Sequence, residues 1–172
     1  MRLRSQLLLF GAILTTLVSG CSSADTKSSS TSPTASPAAS YQRVDDYDPA
    51  RDAAADINAA MAEAARTHRH VLLEVGGEWC IWCHYMDDFF AAHPELTMLR
   101  EQNYVMVKIN YSEENENQEV LSRYPKITGY PHIFILDAHG KLLHSENTAE
   151  LEQGSSYNLK KFLSFLEQWA PA

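Results

Sequence analysis

Basic residues are few in this chain: 14 Lys and Arg stand against 22 Asp and Glu, a formal net charge of -8. No run of Lys and Arg gathers them into the patch that a nucleic-acid-binding face needs, so phosphate backbones are excluded as partners. Cysteine is scarcer still, with three in 172 residues. They fall as one isolated residue, Cys21, and one pair, Cys80 and Cys83. With no second pair, a four-sulfur zinc site cannot be completed. Long apolar runs are also missing, since residues 7–18 fall short of the about 20 that a membrane-spanning helix requires. No internal repeat is visible, and the length leaves room for one globular domain and a tail.

What is present begins with an address. Arg2 and Arg4 precede the apolar residues 7–18, and the small residues Ser19 and Gly20 lead into Cys21. That is the layout of a secretory signal. The ending Val18, Ser19, Gly20, Cys21 resembles the bacterial lipobox, which implies that residues 1–20 are removed and that Cys21 becomes the lipidated first residue, anchored to a membrane. Ser22 follows, and in the Gram-negative lipoproteins that this segment resembles, a residue other than Asp there implies transfer to the outer membrane. Residues 22–40 are nearly all Ser, Thr, Ala and Pro, a composition that cannot bury enough apolar area to offset ordering. Residues 21–40 are therefore expected to form a lipidated tether, and residues 41–172 the folded domain.

Within that domain Asp48 and Pro49 read as a helix start. A helix is expected over residues 50–67, with Ile57, Met61 and Ala64 on its buried face. Residues 71–75 read as a short buried strand, after which Gly76 and Gly77 permit a sharp turn. Beyond Cys80 the apolar residues Trp82, Met86, Phe89 and Phe90 recur at helical spacing, so the cysteine pair falls where a strand ends and a helix begins. Residues 94–102 suggest a short helix. A strand over 104–110, a helix over 116–124 and a strand over 133–136 follow, then a turn at 137–140 into a hairpin partner over 141–144. Residues 158–169 close the domain as an amphipathic helix with Leu159, Phe162, Leu163, Leu166 and Trp169 on one stripe. The alternation predicts an α/β class, with a mixed central sheet flanked by helices on both faces.

Two cysteines two residues apart at a helix start can close a disulfide with little backbone movement, and free helix amides favour a thiolate at the first sulfur. Cys80 is accordingly the candidate nucleophile and Cys83 the resolving thiol. Because Cys80, Ile81, Trp82, Cys83, His84 also satisfies CxxCH, covalent c-type haem attachment is an open alternative. A soft-metal carrier, holding copper or zinc through Cys80, Cys83 and His84, is another.

The run Glu78, Trp79, Cys80, Ile81, Trp82, Cys83 resembles the tryptophan-led active-site motif of the thioredoxin superfamily. Glu74, six residues before Cys80, matches that family's buried carboxylate, and Lys108 its partner lysine on the next strand. Gly129, Tyr130, Pro131, His132 resembles the segment carrying the cis-proline that faces the disulfide. The match extends over about residues 50–170 and is similar to periplasmic thioredoxin-like proteins, including the C-terminal domain of the transmembrane disulfide reductase.

The resemblance implies a thioredoxin-like fold and a thiol-disulfide oxidoreductase with no cofactor beyond its redox disulfide. Cys80, Cys83, Glu74 and Lys108 would be the catalytic set, and Trp79, Trp82, Tyr130 and Pro131 the docking surface for protein thiol or disulfide clients. An upstream membrane electron donor and a position facing the periplasm are implied as well. Ile81, Trp82 and His84 depart from ordinary thioredoxin, where Gly, Pro and Lys stand, and residues here tune the redox potential.

Overall fold

The computed structural model describes residues 41–172. The leader, the lipidation site Cys21 and the tether lie outside the described residues. Four strands make the central sheet: β1 (His70–Gly76), β2 (Tyr104–Asn110), β3 (His132–Leu136) and β4 (Leu142–Asn147), in the order β2-β1-β3-β4. β1 pairs in parallel with β2 and antiparallel with β3, and β3 pairs antiparallel with β4. The sheet is thus mixed, and β1, which delivers the cysteine motif, is an interior strand.

Period-two alternation divides the sheet residues between two cores. Val71, Leu73, Val75, Val105, Val107, Ile109, Phe134 and Leu136 pack beneath α1 (Ala53–Thr67). Leu72, Tyr104, Met106, Ile133 and Ile135 pack on the other face beneath α2 (Ile81–Ala92), α3 (Pro94–Asn103) and α5 (Leu159–Gln168). Both faces are covered, so β1 and β2 are apolar at nearly every position. Besides His70 and Asn110 at the strand ends, the exceptions are Glu74 and Lys108, which stand opposite each other in register. Among the described residues no helix is long and apolar enough to cross a membrane.

Several local outcomes differ from the sequence reading; β4, for one, runs over Leu142–Asn147 where 141–144 was expected. The first helix begins three residues later than expected: Asp52, not Asp48, is its N-cap and accepts from the Ala55 amide at 3.0 Å. Asp48 instead accepts from the Ala50 amide and closes a preceding turn. The helix expected over 116–124 shrinks to the single turn α4 (Gln118–Leu121). Residues 148–157, not assigned from sequence, form a 3-10 turn (Thr148–Leu151) and a small hairpin, β5 (Glu152–Gln153) with β6 (Ser156–Tyr157). In α5 the stripe is centred on Phe162, Phe165 and Leu166, so Phe165 joins the core while Leu163 is only partly buried.

Candidate active site

The site is built where β1 ends and α2 begins. Cys80 is the N-cap of α2, and its sulfur accepts from the Cys83 amide at 3.2 Å. The two cysteines are joined as a disulfide with their Cα atoms 5.3 Å apart. Both sit within the fold, Cys83 completely and Cys80 at 3% exposure. A helix N-terminus holds unpaired amides and a positive dipole end, which favour negative charge on the capping sulfur.

Gly76 and Gly77 make this approach possible. A Cβ on Gly76 would lie 2.4 Å from the Cys83 sulfur and 2.9 Å from the Tyr47 hydroxyl, and one on Gly77 would strike the Trp79 indole at 2.5 Å. Trp79 is consequently folded back over the turn, and its indole N–H donates to the Tyr111 carbonyl at 2.7 Å. It remains 58% exposed, beside an equally exposed Ile81. Tyr130 meets Trp79 edge-on at 5.5 Å and stacks on Tyr111 at 4.9 Å. The result is an aromatic ridge beside the disulfide. Tyr130 itself packs against the Cys80 and Cys83 cluster, and the Tyr130–Pro131 peptide is cis.

Glu74, on β1 ahead of the cysteine turn, is buried at 1% exposure. It accepts the Tyr47 hydroxyl hydrogen. Burial holds its carboxyl above the ordinary range, against the opposing pull of the Lys108 charge and the Tyr47 hydrogen bond. Lys108 is buried too, but its ammonium is hydrogen-bonded to both oxygens of Asp87 at 2.7 Å. It influences Glu74 as a nearby charge while its direct contact is with Asp87. The same ammonium sits 4.7 Å from the centre of the Tyr47 ring.

Of the residues singled out from sequence, Cys80, Cys83, Glu74, Tyr130 and Pro131 therefore converge at one end of β1, with Lys108 reaching in through Asp87. Trp82 is half-buried; like Tyr130 it packs against the cluster of Tyr47, Cys80 and Cys83, and it meets Tyr85 and Tyr157 edge-on. His84 points its ring back to the Glu78 carbonyl at 2.8 Å, away from the sulfurs. Among the described residues no three His, Cys, Asp or Glu side chains converge as metal ligands.

Sequence reading missed four members of this neighbourhood. Tyr47 precedes the first helix by several residues and belongs to no periodic pattern. Thr148 donates its hydroxyl to the Pro131 carbonyl, and Tyr157 donates to the Trp82 carbonyl at 3.2 Å; both come from the unassigned segment. Asp87 alone carried a signal, since it lies one helical turn beyond Cys83 and faces the same strand.

At the disulfide end the exposed Trp79 and Ile81 stand beside the buried sulfurs. A cavity of about 330 Å³ lies elsewhere, lined by Ile57, Met61, Tyr124 and Leu142 among others. A second, of about 300 Å³, has Asp87 and Lys108 on its wall and opens beside Arg100. A sulfur pair beside an exposed aromatic side chain suits a partner of protein size.

Comparison with known proteins agrees with this geometry. A thioredoxin-like family model matches residues 52–138. A disulfide bond reductase, DsbH, of Chlamydia pneumoniae is 29% identical over 93 residues, which cover 49% of this chain and 55% of that protein; the chain thus spans about half the length of that curated relative. Among solved structures, a disulphide isomerase from Xylella fastidiosa Temecula1 is similar at a TM-score of 0.60 and 25% identity, over 71% of this chain and 94% of that one. The reduced form of the Neisseria meningitidis DsbD C-terminal domain is similar at a TM-score of 0.50 and 25% identity, over 69% and 96%. With the matched segment running from the cap of α1 through the end of β3, and so containing both cysteines, Glu74, Lys108 and Pro131, the chain belongs to the thioredoxin-like family.

Proposed function

We propose that this protein is a thiol-disulfide oxidoreductase that exchanges disulfides with protein clients through Cys80 and Cys83. The observation that carries the reading is a disulfide capping α2, with a buried carboxylate, Glu74, on the strand ahead of it and an exposed aromatic ridge beside it. In the reducing direction the Cys80 thiolate attacks a client disulfide, forming a mixed disulfide and releasing one client thiolate, which takes a proton from water. Cys83 then loses its proton to the Glu74 carboxylate through a water, and its sulfur attacks the Cys80 sulfur. The second client thiolate leaves, and two electrons have passed from the protein to the client. Lys108 tempers the rise in the Glu74 pKa that burial produces.

Trp79, Tyr130 and cis-Pro131 form the docking face, where an extended client segment lies along the Tyr130 backbone. Trp82 supports that face from beneath. The protein acts as a reductase or electron relay in preference to an oxidant, a direction favoured by the relative named as a disulfide bond reductase. It recovers its dithiol from a membrane-borne electron donor. Residues 1–20 are the cleaved signal, Cys21 is the lipidated anchor, residues 21–40 are the tether, and the domain of residues 41–172 faces the periplasm, at the outer membrane.

Trapping tests the core of this reading. A Cys83→Ser variant cannot resolve its mixed disulfide and is expected to retain client proteins through Cys80, releasing them on addition of dithiothreitol. If Cys80→Ser traps clients and Cys83→Ser does not, the two roles are reversed. If neither traps, exchange with protein thiols is not the activity.

A further inference from the structure

Tyr47 stands on the segment ahead of α1, outside the span that the family model covers, and nothing in the exchange chemistry above uses it. It is nonetheless one of the most enclosed polar side chains of the domain, at 2% exposure, and it packs directly with Cys80 and Cys83. Its hydroxyl makes one side-chain hydrogen bond, to the Glu74 carboxylate. That hydroxyl and the Cys83 sulfur border the same small space, since both lie within 2.9 Å of the point where a Gly76 Cβ would stand. The phenol and the resolving sulfur are thus packed around one glycine, and the carboxylate is hydrogen-bonded to that phenol.

We infer that Tyr47 is a positioning residue for the resolving half of the exchange: its hydroxyl fixes the Glu74 carboxylate beside Cys83, so that the carboxylate receives the thiol proton as the mixed disulfide resolves. The inference rests on the proposed exchange activity. A carboxyl with two equivalent oxygens and free rotation spends much of its time facing away from a buried thiol. One donated hydrogen bond occupies one oxygen and directs the other, which is preorganisation of the acceptor. The phenol suits this task because burial and the neighbouring Glu74 charge hold its own pKa well above the ordinary value. It therefore donates throughout the working range and does not compete for the proton.

The same hydrogen bond stabilises the ionised carboxylate, so its loss raises the Glu74 pKa. The other groups that bear on this pair are Lys108 from β2, Asp87 from α2, Arg100 from α3 and, toward Tyr47, Tyr157 from β6. All of them remain in a Tyr47→Phe variant, which removes a single oxygen and keeps the ring.

The test is the lifetime of the mixed disulfide as a function of pH. Reduced full-length protein is mixed with glutathione disulfide, quenched with acid at intervals, and the Cys80 glutathione adduct is counted by mass spectrometry. Tyr47→Phe is expected to lengthen that lifetime at least about threefold near pH 6, and to move the acidic limb of the profile upward by about one pH unit, the size of a charge-assisted hydrogen bond. In a Glu74→Gln background the same substitution is expected to change nothing further. Superimposable profiles for wild type and Tyr47→Phe overturn the inference while leaving the exchange activity standing. A wild-type protein that forms no adduct, or never resolves it, overturns the exchange activity itself. If Tyr47→Phe does not fold, proton NMR of the wild-type protein decides: a slowly exchanging Tyr47 hydroxyl resonance that moves as Glu74 titrates is expected, and a hydroxyl proton insensitive to Glu74 overturns the inference.

Discussion

Gly76 and Cys83 are so closely packed that a Cβ on Gly76 would stand 2.4 Å from the Cys83 sulfur, well inside any permitted contact. The resolving sulfur therefore rests against bare backbone. Gly76→Ala forces that sulfur to shift, and overpacking of this kind costs about 1–3 kcal/mol. Because the disulfide tethers the sulfur and the dithiol frees it to rotate away, the cost falls mainly on the oxidised form. The variant is expected to be reduced more easily, its potential rising by some tens of millivolts at about 30 mV for each 1.4 kcal/mol. A glutathione-buffer titration read by tryptophan fluorescence measures it, and an unchanged potential would show that the contact is relieved without strain.

Phe134 is wholly buried on β3 and stacks on Tyr124 at 4.8 Å. It fills the core under α1, directly opposite Leu73 on the strand that carries Glu74. Phe134→Ala should lower stability by about 3–5 kcal/mol, measured by urea unfolding of the oxidised protein. A loss below about 1 kcal/mol would mean that the core collapses around the gap.

His132 follows the cis-proline and is buried, its Nε2 paired with the Ser145 hydroxyl at 2.9 Å and its Nδ1 without a protein partner. Burial, with a smaller contribution from the nearby His144, lowers its pKa from the ordinary 6.5 to about 4. The unfolded chain therefore binds a proton between those values that the folded protein refuses. The histidine's contribution to stability is complete above pH 6.5 and declines as pH falls toward 4, by at most about 1.4 kcal/mol per pH unit. Glu74, whose pKa is raised, gives a slope of opposite sign, so the comparison that isolates His132 is wild type against His132→Asn. Urea unfolding at intervals from pH 4 to 7 should show a flatter profile for the variant, and parallel profiles would place the proton elsewhere.

How much of this was legible beforehand follows from where the information lies along the chain. β2 was read over the same residues that form it, because a run from Tyr104 to Asn110 buried on both faces is apolar almost throughout. The cysteine turn was legible because two glycines, a capping sulfur and an apolar helical stripe agree within twenty residues. The start of α1 was misread by three residues because Asp48 and Asp52 are equally good caps in isolation, and only tertiary packing chooses between them. The segment 148–157 was invisible: two-residue strands have no periodicity to detect, yet this segment supplies the Thr148 bond to Pro131 and the Tyr157 bond to Trp82. Tyr47 and Glu74 are 27 residues apart, and no local pattern announces a pairing of that kind. The candidate reactive side chains were legible as a motif, whereas most of those packed and hydrogen-bonded around them were not.

An equilibrium redox titration of the folded domain in glutathione buffers, with the thiol state read by mass spectrometry after alkylation, addresses the central claim most directly. A reversible transition is expected in which Cys80 and Cys83 gain two electrons together, with a midpoint at about -200 mV or lower, in the range of reducing thioredoxin-type proteins. A midpoint near about -120 mV, where strong oxidants lie, would contradict the reducing direction, and sulfurs that stay occupied by haem or a metal ion and never pair would contradict the account as a whole.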